Sequence, residues 1–477
     1  MINKRRVYLL DPKKFSPETI AVTFAKTSRS PQTFDQIAEE LSDEKSTKFH
    51  EKWVVGYGHA SVAEHAVLHI ALENVSRLAI ECIESNRLAS YTEKSSRYQI
   101  WEEDQFFIPP ELNFQESLKK LYIQTCGDLF RSYKQSLPQL KKIIEEKLLL
   151  QKNADKGQLE REIHSQAADV CRYYLPAAAF ANVGMTANAR VIEHAICKML
   201  SHPLQEVREI GEELKTTAQE KLPTLVKYAN TNKYIAFSPR VARDFLLTIN
   251  CEQADSSHDW CQLVSHEKNL EDKILAAYLF KHCSIPFHSL LSQMAALTPT
   301  QKTDLAKVLL DIPEKHDMPS RELEHSFFTF ECEVDQGAYF EFKRHRMMTQ
   351  SPQGLSVEHG YAVPKLITLS GLENSYNQLM KKTAQAYREL SQFNPEVAAY
   401  LVPNAFNRRF LVSLNLRAAI HLIKLRSAPN AHFAIRRLAC RICDEIAKCS
   451  QLFSQHIFTS NNETWQSIEE ENFSSVR

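Results

Sequence analysis

The sequence predicts a helix-dominated α+β protein of two tandem homologous domains, residues 1–235 and 236–477, each with a small antiparallel sheet. Three observations predict it. At 477 residues the chain is too long for one typical core. Gly is scarce, at 10 residues, which suits a helix-rich chain. One series of polar landmarks also recurs in the same order, and a fixed internal period is the first thing a fold assignment has to satisfy.

The repeat begins at Glu64-His65, answered roughly 260 residues on by Glu324-His325. Apolar segments follow, Ala66–Leu72 and Ser326–Val334, the second in partial alternation, and both are expected as strands. Each leads into an expected helix, Ser76–Arg87 or Gly337–Arg346, ending in an arginine-bearing cluster: Ser85-Asn86-Arg87 or Arg344-His345-Arg346. The polar residues beyond each cluster are expected as a loop or short turn. Long amphipathic helices come next, Phe114–Leu150 and Gln158–Tyr174 in copy one and Leu372–Phe393 in copy two. Their charges are read as solvated outer faces. Each copy closes on Pro, with Asn, Arg and His 12, 14 and 18 positions later: Pro176, Asn188, Arg190, His194 and Pro403, Asn415, Arg417, His421. Pro223 and the polar stretch Asn230–Lys233 mark the boundary near 230–240.

Composition excludes several classes. There is no GxGxxG or GxxxxGK[ST] string, so neither a doubly wound dinucleotide fold nor a P-loop is supported. Net charge is zero, so no nucleic-acid footprint is expected. No run of 18 apolar residues and no signal peptide is visible, and 11 scattered Cys suit reduced thiols, so a cytoplasmic protein without a membrane span is expected. Cys440-Arg-Ile-Cys443 is a lone CxxC in a helical stretch. His59, Glu64, His65 and His69 are metal-ligating residue types, but copy two carries Thr329 at the last position, so no metal site is expected.

Two constellations carry chemistry. In Asn415-Leu-Arg417-Ala-Ala-Ile-His421, arginine and histidine lie one helical turn apart amid apolar residues. Holding a guanidinium there demands a carboxylate partner or an anionic ligand. The segment Glu93-Lys-Ser95-Ser-Arg97 offers carboxylate, hydroxyl and guanidinium on alternate residues, suited to a phosphorylated, hydroxyl-bearing small molecule, or else simply a polar surface loop.

The order His-x-Ser-x-x-Glu-His, strand, Arg-His-Arg-x-x-Ser-x-Asn-Glu-x-Ser-x-Arg-Tyr, then Asn-x-Arg with a later Leu-Arg, resembles the flavin-dependent thymidylate synthases over most of the chain. The resemblance implies the family's α+β fold twice over. It also implies FAD as cofactor, dUMP as methyl acceptor, methylenetetrahydrofolate as carbon donor and NADPH as reductant. Copy one matches at His59, Ser61, Glu64, His65, Glu93, Ser95, Arg97 and Arg172, but has Ser85 and Asn86 in the triplet and Met199 at the late arginine. Copy two is nearly the inverse: Arg344, His345, Arg346 and Arg426 are present, while Pro352, Gly354, Ser356 and Ala399 replace Glu93, Ser95, Arg97 and Arg172.

By resemblance, Glu93, Ser95, Arg97, Arg172 and Arg426 bind dUMP, and Arg426 also activates the uracil ring. Ser61, Asn188, Arg190, His194, Arg344, His345, Arg346, Asn415, Arg417 and His421 are the flavin-binding candidates. The complementary losses suggest composite sites shared by the two copies, in a homodimer of four repeats. The competing readings are a non-catalytic flavin- or uridine-nucleotide-binding protein and one of altered chemistry. They separate on whether one site gathers the triplet, the Glu-x-Ser-x-Arg segment and Arg426.

Overall fold

A computed structural model describes residues 5–56, 60–149, 156–249, 259–310, 317–454, 456–457, 459 and 463–476. The expected α+β architecture is present twice. In copy one the strands β1 (Val67–Ser76), β2 (Ser90–Glu93) and β3 (Phe180–Asn188) form an antiparallel sheet of order β1-β3-β2. In copy two, β4 (Cys261–His266), β5 (Phe328–Asp335), β6 (Thr349–Pro352) and β8 (Asn407–Leu414) form a sheet of order β4-β5-β8-β6. Between them in sequence, β7 (Val363–Pro364) pairs with β9 (Phe473–Ser475).

The registers repeat: Ser90 faces Thr186 as Thr349 faces Ser413, and Val75 faces Ala181 as Val334 faces Arg408. A bulge at Leu72/Val75 gives β1 one extra residue, absorbed at Asn74 with φ +54° and pinned by Asn182 Oδ1 at 3.0 Å.

Alternate residues of β3 (Ala181, Val183, Met185, Ala187) enter the core, on the side of the helices Arg77–Ile83 and Ala189–Leu200, and the long helix Glu116–Leu149 contributes to the same core. That helix carries Pro138 within it and buries Tyr122, Phe130 and Tyr133.

The copies meet at their equivalent prolines. Pro176 bridges Pro403, and exchanging the copies turns each flanking backbone bond into another. Ala177 N–H donates to Val402 O at 3.0 Å as Asn404 N–H does to Leu175 O at 3.0 Å. Ala178 N–H donates to Tyr400 O at 2.8 Å as Ala405 N–H does to Tyr173 O at 3.2 Å. An internal two-fold axis therefore passes between Pro176 and Pro403, the isologous geometry of a dimer interface built into one chain.

Several expectations need correction. The helices after β1 and β5 are shorter than expected, Arg77–Ile83 and Gln336–Phe342. In copy one, Asn86 Nδ2 bonds back to Ile83 O at 2.9 Å and stops the helix before the triplet. The triplets thus occupy turns beyond helix ends. The expected polar loop after each triplet begins as a strand, because Ser90–Glu93 and Thr349–Pro352 pair with β3 and β8.

Phe180–Asn188 and Asn407–Leu414 were not expected as strands. Gly, Asn and Thr in the first and two arginines in the second weaken the strand pattern, and it is pairing on both sides that makes them central. The expected 236 boundary falls within the helix Lys233–Leu246. No described helix is long and apolar enough to cross a membrane.

Candidate functional site

The site grows from the turn after Gln336–Phe342. Asp335 caps this helix through Ala338 N–H at 2.8 Å, aiming its C-terminal end and the triplet at copy one. Arg344 Nη2 donates to Glu93 Oε2 across the copy boundary at 3.2 Å. The other Glu93 oxygen lies 3.4 Å from buried Arg77 Nη2, an ion pair without hydrogen-bond geometry, and the Arg77 guanidinium rests 4.3 Å from the Phe340 ring centre. Burial opposes ionising Glu93, but Arg77, Lys343 and Arg344 outweigh it and hold its pKa below the ordinary value.

The second half of the site is the helix Leu416–Arg426, capped by Asn415 through Ala418 N–H at 2.8 Å. Its last residue, Arg426, donates from Nε to His345 Nε2 at 2.9 Å and from Nη1 to Glu341 Oε2 at 3.2 Å. Burial, then Arg426 and His421, push His345 down to about 3, so the ring is neutral. The His421 ring centre lies 5.5 Å from that of His345. Arg172 enters from copy one and donates Nη1 to Glu341 Oε1 at 3.2 Å, while its Nε and Nη2 are buried without a hydrogen-bond partner. Arg97 forks Asp169 at 2.7 and 2.8 Å and reaches Asn430 O at 3.0 Å. Ser95 Oγ accepts from Arg97 N–H at 3.3 Å.

Arg344, His345, Arg426, Glu93, Ser95, Arg97, Arg172 and His421 thus form one connected region drawn from both copies. Arg346 is at its border: its Nη1 donates to Arg87 O at 2.9 Å, while Arg87 Nη2 donates to Met348 O at 2.9 Å. Asn188 caps Ala189–Leu200 through Val191 N–H at 3.0 Å, as Asn415 does its own helix. The paired arginines find carboxylates in both copies: Arg190 with Glu64 at 2.5 Å, and Arg417 with Glu324 at 2.7 Å and Pro319 O at 2.9 Å. The anticipated counter-charge of the Asn-x-Arg helix is therefore the Glu of each Glu-His pair. His194 and Ser61 are exposed on copy one, and no described hydrogen bond or ion pair joins them to the Arg344 region. His59 lies outside the described residues. Among the described residues no group of three metal-ligating side chains occurs, and Cys440 and Cys443 are buried free thiols.

Glu341 and Asp169 were missed by sequence reasoning. Glu341 had a signal: it is the one carboxylate in the aromatic helix Gln-Gly-Ala-Tyr-Phe-Glu-Phe. Asp169 is an ordinary helical acid in sequence, and only the fold brings it to Arg97.

The counterpart region, across the two-fold axis, is rebuilt. Lys198 bonds Ser85 Oγ and, at 3.0 Å, Asn86 Oδ1, where copy two has Arg344 and His345. Glu81 takes Arg408 Nη1 on both oxygens at 2.8 Å, and Lys343 pairs with Glu84 at 2.9 Å. A cavity of about 220 Å³ remains, lined by Glu84, Ser85, Arg87, Lys343 and Arg346 among others.

Comparison with known proteins gives a consistent picture. The family model described as "Thymidylate synthase complementing protein" matches residues 11–224 and again 262–450. A UPF0159 protein of Chlamydia pneumoniae is 28% identical over 429 residues, covering 87% of this chain and 81% of the relative. A UPF0159 protein of Thermoplasma acidophilum is 24% identical, with 85% and 87% covered. A protein of Clostridium tetani named flavin-dependent thymidylate synthase is 28% identical over 218 residues, covering 45% of this chain and 82% of its own length.

Proposed function

The chain belongs to the thymidylate synthase complementing protein family, and from that premise we propose that it methylates dUMP to dTMP at one composite site per chain, using FAD, methylenetetrahydrofolate and NADPH. The observation that carries the reading is the convergence of Arg344, His345 and Arg426 from copy two with Glu93, Ser95, Arg97 and Arg172 from copy one. Each copy alone lacks half of this set, and only one face of the two-fold axis has all of it. The proposal includes the division of the repeats near residue 235 and a homodimer of four repeats.

The site suits an anion. Five guanidiniums (Arg77, Arg97, Arg172, Arg344, Arg426) stand among four carboxylates (Glu93, Asp169, Asp335, Glu341), and Arg77 and Arg172 keep buried donors with no hydrogen-bond partner. A nucleotide phosphate would find Arg172 and Ser95 there, while Arg426 faces negative charge developing on the pyrimidine ring.

The residues also fit FAD in chemical type. Arg344 is about half exposed, at 48%, and can reach a pyrophosphate, and neutral His345 beside His421 presents flat rings to a flavin. Arg346, Asn415 and Arg417 would complete the copy-two contribution. Asn188, Arg190, His194 and Ser61 would serve from the copy-one face of a second chain. Bound flavin would supply the reducing equivalents, and no protein nucleophile is needed. Cys82 is raised by burial and is a packing residue.

The test is thymidylate formation by purified protein with dUMP, FAD, methylenetetrahydrofolate and NADPH, beside Arg344→Ala and Ser95→Ala. Arg344 is the better triplet probe, since Arg346 also holds the backbone of Arg87. Product from wild type and loss in both variants is expected. Flavin retained without product would defeat the synthase reading.

A further inference from the structure

Glu341 is the residue that the assigned roles leave without a task. Its buried carboxylate holds Arg172 through one oxygen and Arg426 through the other, both at 3.2 Å. These arginines come from different copies and from elements far apart in sequence. One small anion with two outward oxygens joins them, the arrangement a phosphate makes with two guanidiniums.

The duplication supplies an internal control. Across the two-fold axis the position of Glu341 is Cys82, that of Arg172 is Ala399, and that of Arg426 is Met199. The carboxylate is present where both arginines are present and absent where both are absent. Shape filling alone does not explain that correlation, since Met199 and Cys82 pack their region without charge. The Nε and Nη2 of Arg172, buried without a hydrogen-bond partner, point to a further acceptor.

We propose that Glu341 is an internal occupant of the anion subsite, a carboxylate that compensates Arg172 and Arg426 in the unliganded protein and competes with an incoming phosphate. It rests on the site assignment above. It adds a determinant of selectivity: binding a phosphorylated ligand requires Glu341 to release at least one arginine, whereas an uncharged nucleoside displaces nothing. Affinity for the phosphate is thereby held below what two free guanidiniums would give. The same carboxylate keeps the arginines from being left buried and uncompensated when the site is empty.

The experiment compares wild type with Glu341→Gln, which keeps the shape and removes the charge. Binding of inorganic phosphate, dUMP and deoxyuridine is measured by calorimetry. Phosphate and dUMP are expected to bind on the order of ten- to a hundredfold tighter to the variant, the scale of one charge-assisted bond, with deoxyuridine unchanged. Phosphate should also raise the melting temperature of the variant more than that of wild type.

Equal or weaker phosphate binding by a folded variant overturns the proposal and leaves Glu341 as a scaffold for the arginines. Should Glu341→Gln not fold, Glu341→Asp shortens the reach by one methylene. Tighter phosphate binding there supports the proposal, and unchanged binding overturns it. Tighter inorganic phosphate with no uridine compound bound by either protein keeps the anion subsite and removes the thymidylate reading, so the two failures are distinct.

Discussion

Arg426 donates from Nε to Nε2 of His345 at 2.9 Å, and the two residues close the copy-two half of the site. Because Nε2 accepts, the imidazole carries its proton on Nδ1 and is uncharged. An arginine that is never deprotonated thereby fixes both the tautomer and the charge of its neighbour. A neutral ring beside a guanidinium lets Arg426 keep its full charge for an electron-rich partner.

The depressed pKa of His345 has a consequence for acid stability. Its folded value, about 3, lies below the ordinary 6.5, so its contribution is fully present above pH 6.5 and is lost as pH falls toward 3. His345→Gln, which keeps an acceptor for Arg426 but cannot titrate, should flatten this limb. Denaturant midpoints between pH 7 and 4 check it, and parallel wild-type and variant curves would remove the claim.

Asp335 slopes the other way. Burial raises it from 3.8 to about 6 against the pull of Arg172, the Ala338 N–H, Arg437 and Tyr173. Its contribution is therefore present below pH 3.8 and lost as pH rises through 6. Asp335→Asn retains a capping oxygen for Ala338 and removes the ionisation. Relative to this variant, wild type should lose about 3 kcal/mol between pH 4 and 7, as the two pKa values imply. Urea titrations across that range measure the difference, and a constant gap between the two proteins is the contrary result.

How much of this was legible beforehand depended on whether a residue acts locally. The Asn-x-Arg-x-x-x-His segments were legible as helices because Arg and His one turn apart among apolar residues is a local pattern, whereas the capping role of Asn188 and Asn415 emerged only in the structure. The repeat was legible because the same landmarks return in order. The strands Phe180–Asn188 and Asn407–Leu414 were not, since their stability comes from partners 72 or more residues away in sequence, on β1 and β5. The copies' complementary losses suggested a shared site. Which carboxylates neutralise its arginines was invisible: Arg97 meets Asp169 across 72 residues, and Arg172 meets Glu341 across 169. The arginines of the Asn-x-Arg helices were read as ligand candidates, yet both already hold the Glu of a Glu-His pair.

The two faces of the internal two-fold axis should differ in function. Arg426→Ala is expected to lower dUMP turnover by about 10²–10³, the range for removing one donor that meets developing charge, and Arg344→Ala to lower it through weakened flavin binding. The equivalent of Arg344 is Ser85, and that of Arg97 is Ser356. Ser85→Ala and Ser356→Ala should leave turnover within about twofold, as surface changes away from a site do. Steady-state kinetics on the four variants decide it. A comparable loss at Ser85 would mean that both faces work.

The rebuilt face holds the copies together. Arg408 Nη1 meets both Glu81 oxygens at 2.8 Å, its Nε donates to Gln353 O at 2.9 Å, and Gln336 donates to the same carboxylate at 2.5 Å. Across the axis Arg408 corresponds to Ala181 and Glu81 to Phe340, so this ion pair stands opposite an apolar pair. Arg408→Met would leave the part-buried Glu81 with only Lys343 nearby as counter-charge, and a loss of about 2–3 kcal/mol is expected, below the range for a fully buried charge stripped of its partner. Replacing Glu81 by Leu in the same chain removes the stranded charge as well, and most of the loss should return, since apolar packing can substitute for a buried ion pair. Calorimetric melting of wild type, the single and the double variant forms the cycle. If the double variant is no more stable than Arg408→Met, the pair is held by more than its charge, and Gln336, whose side chain meets both partners, becomes the residue to mutate next.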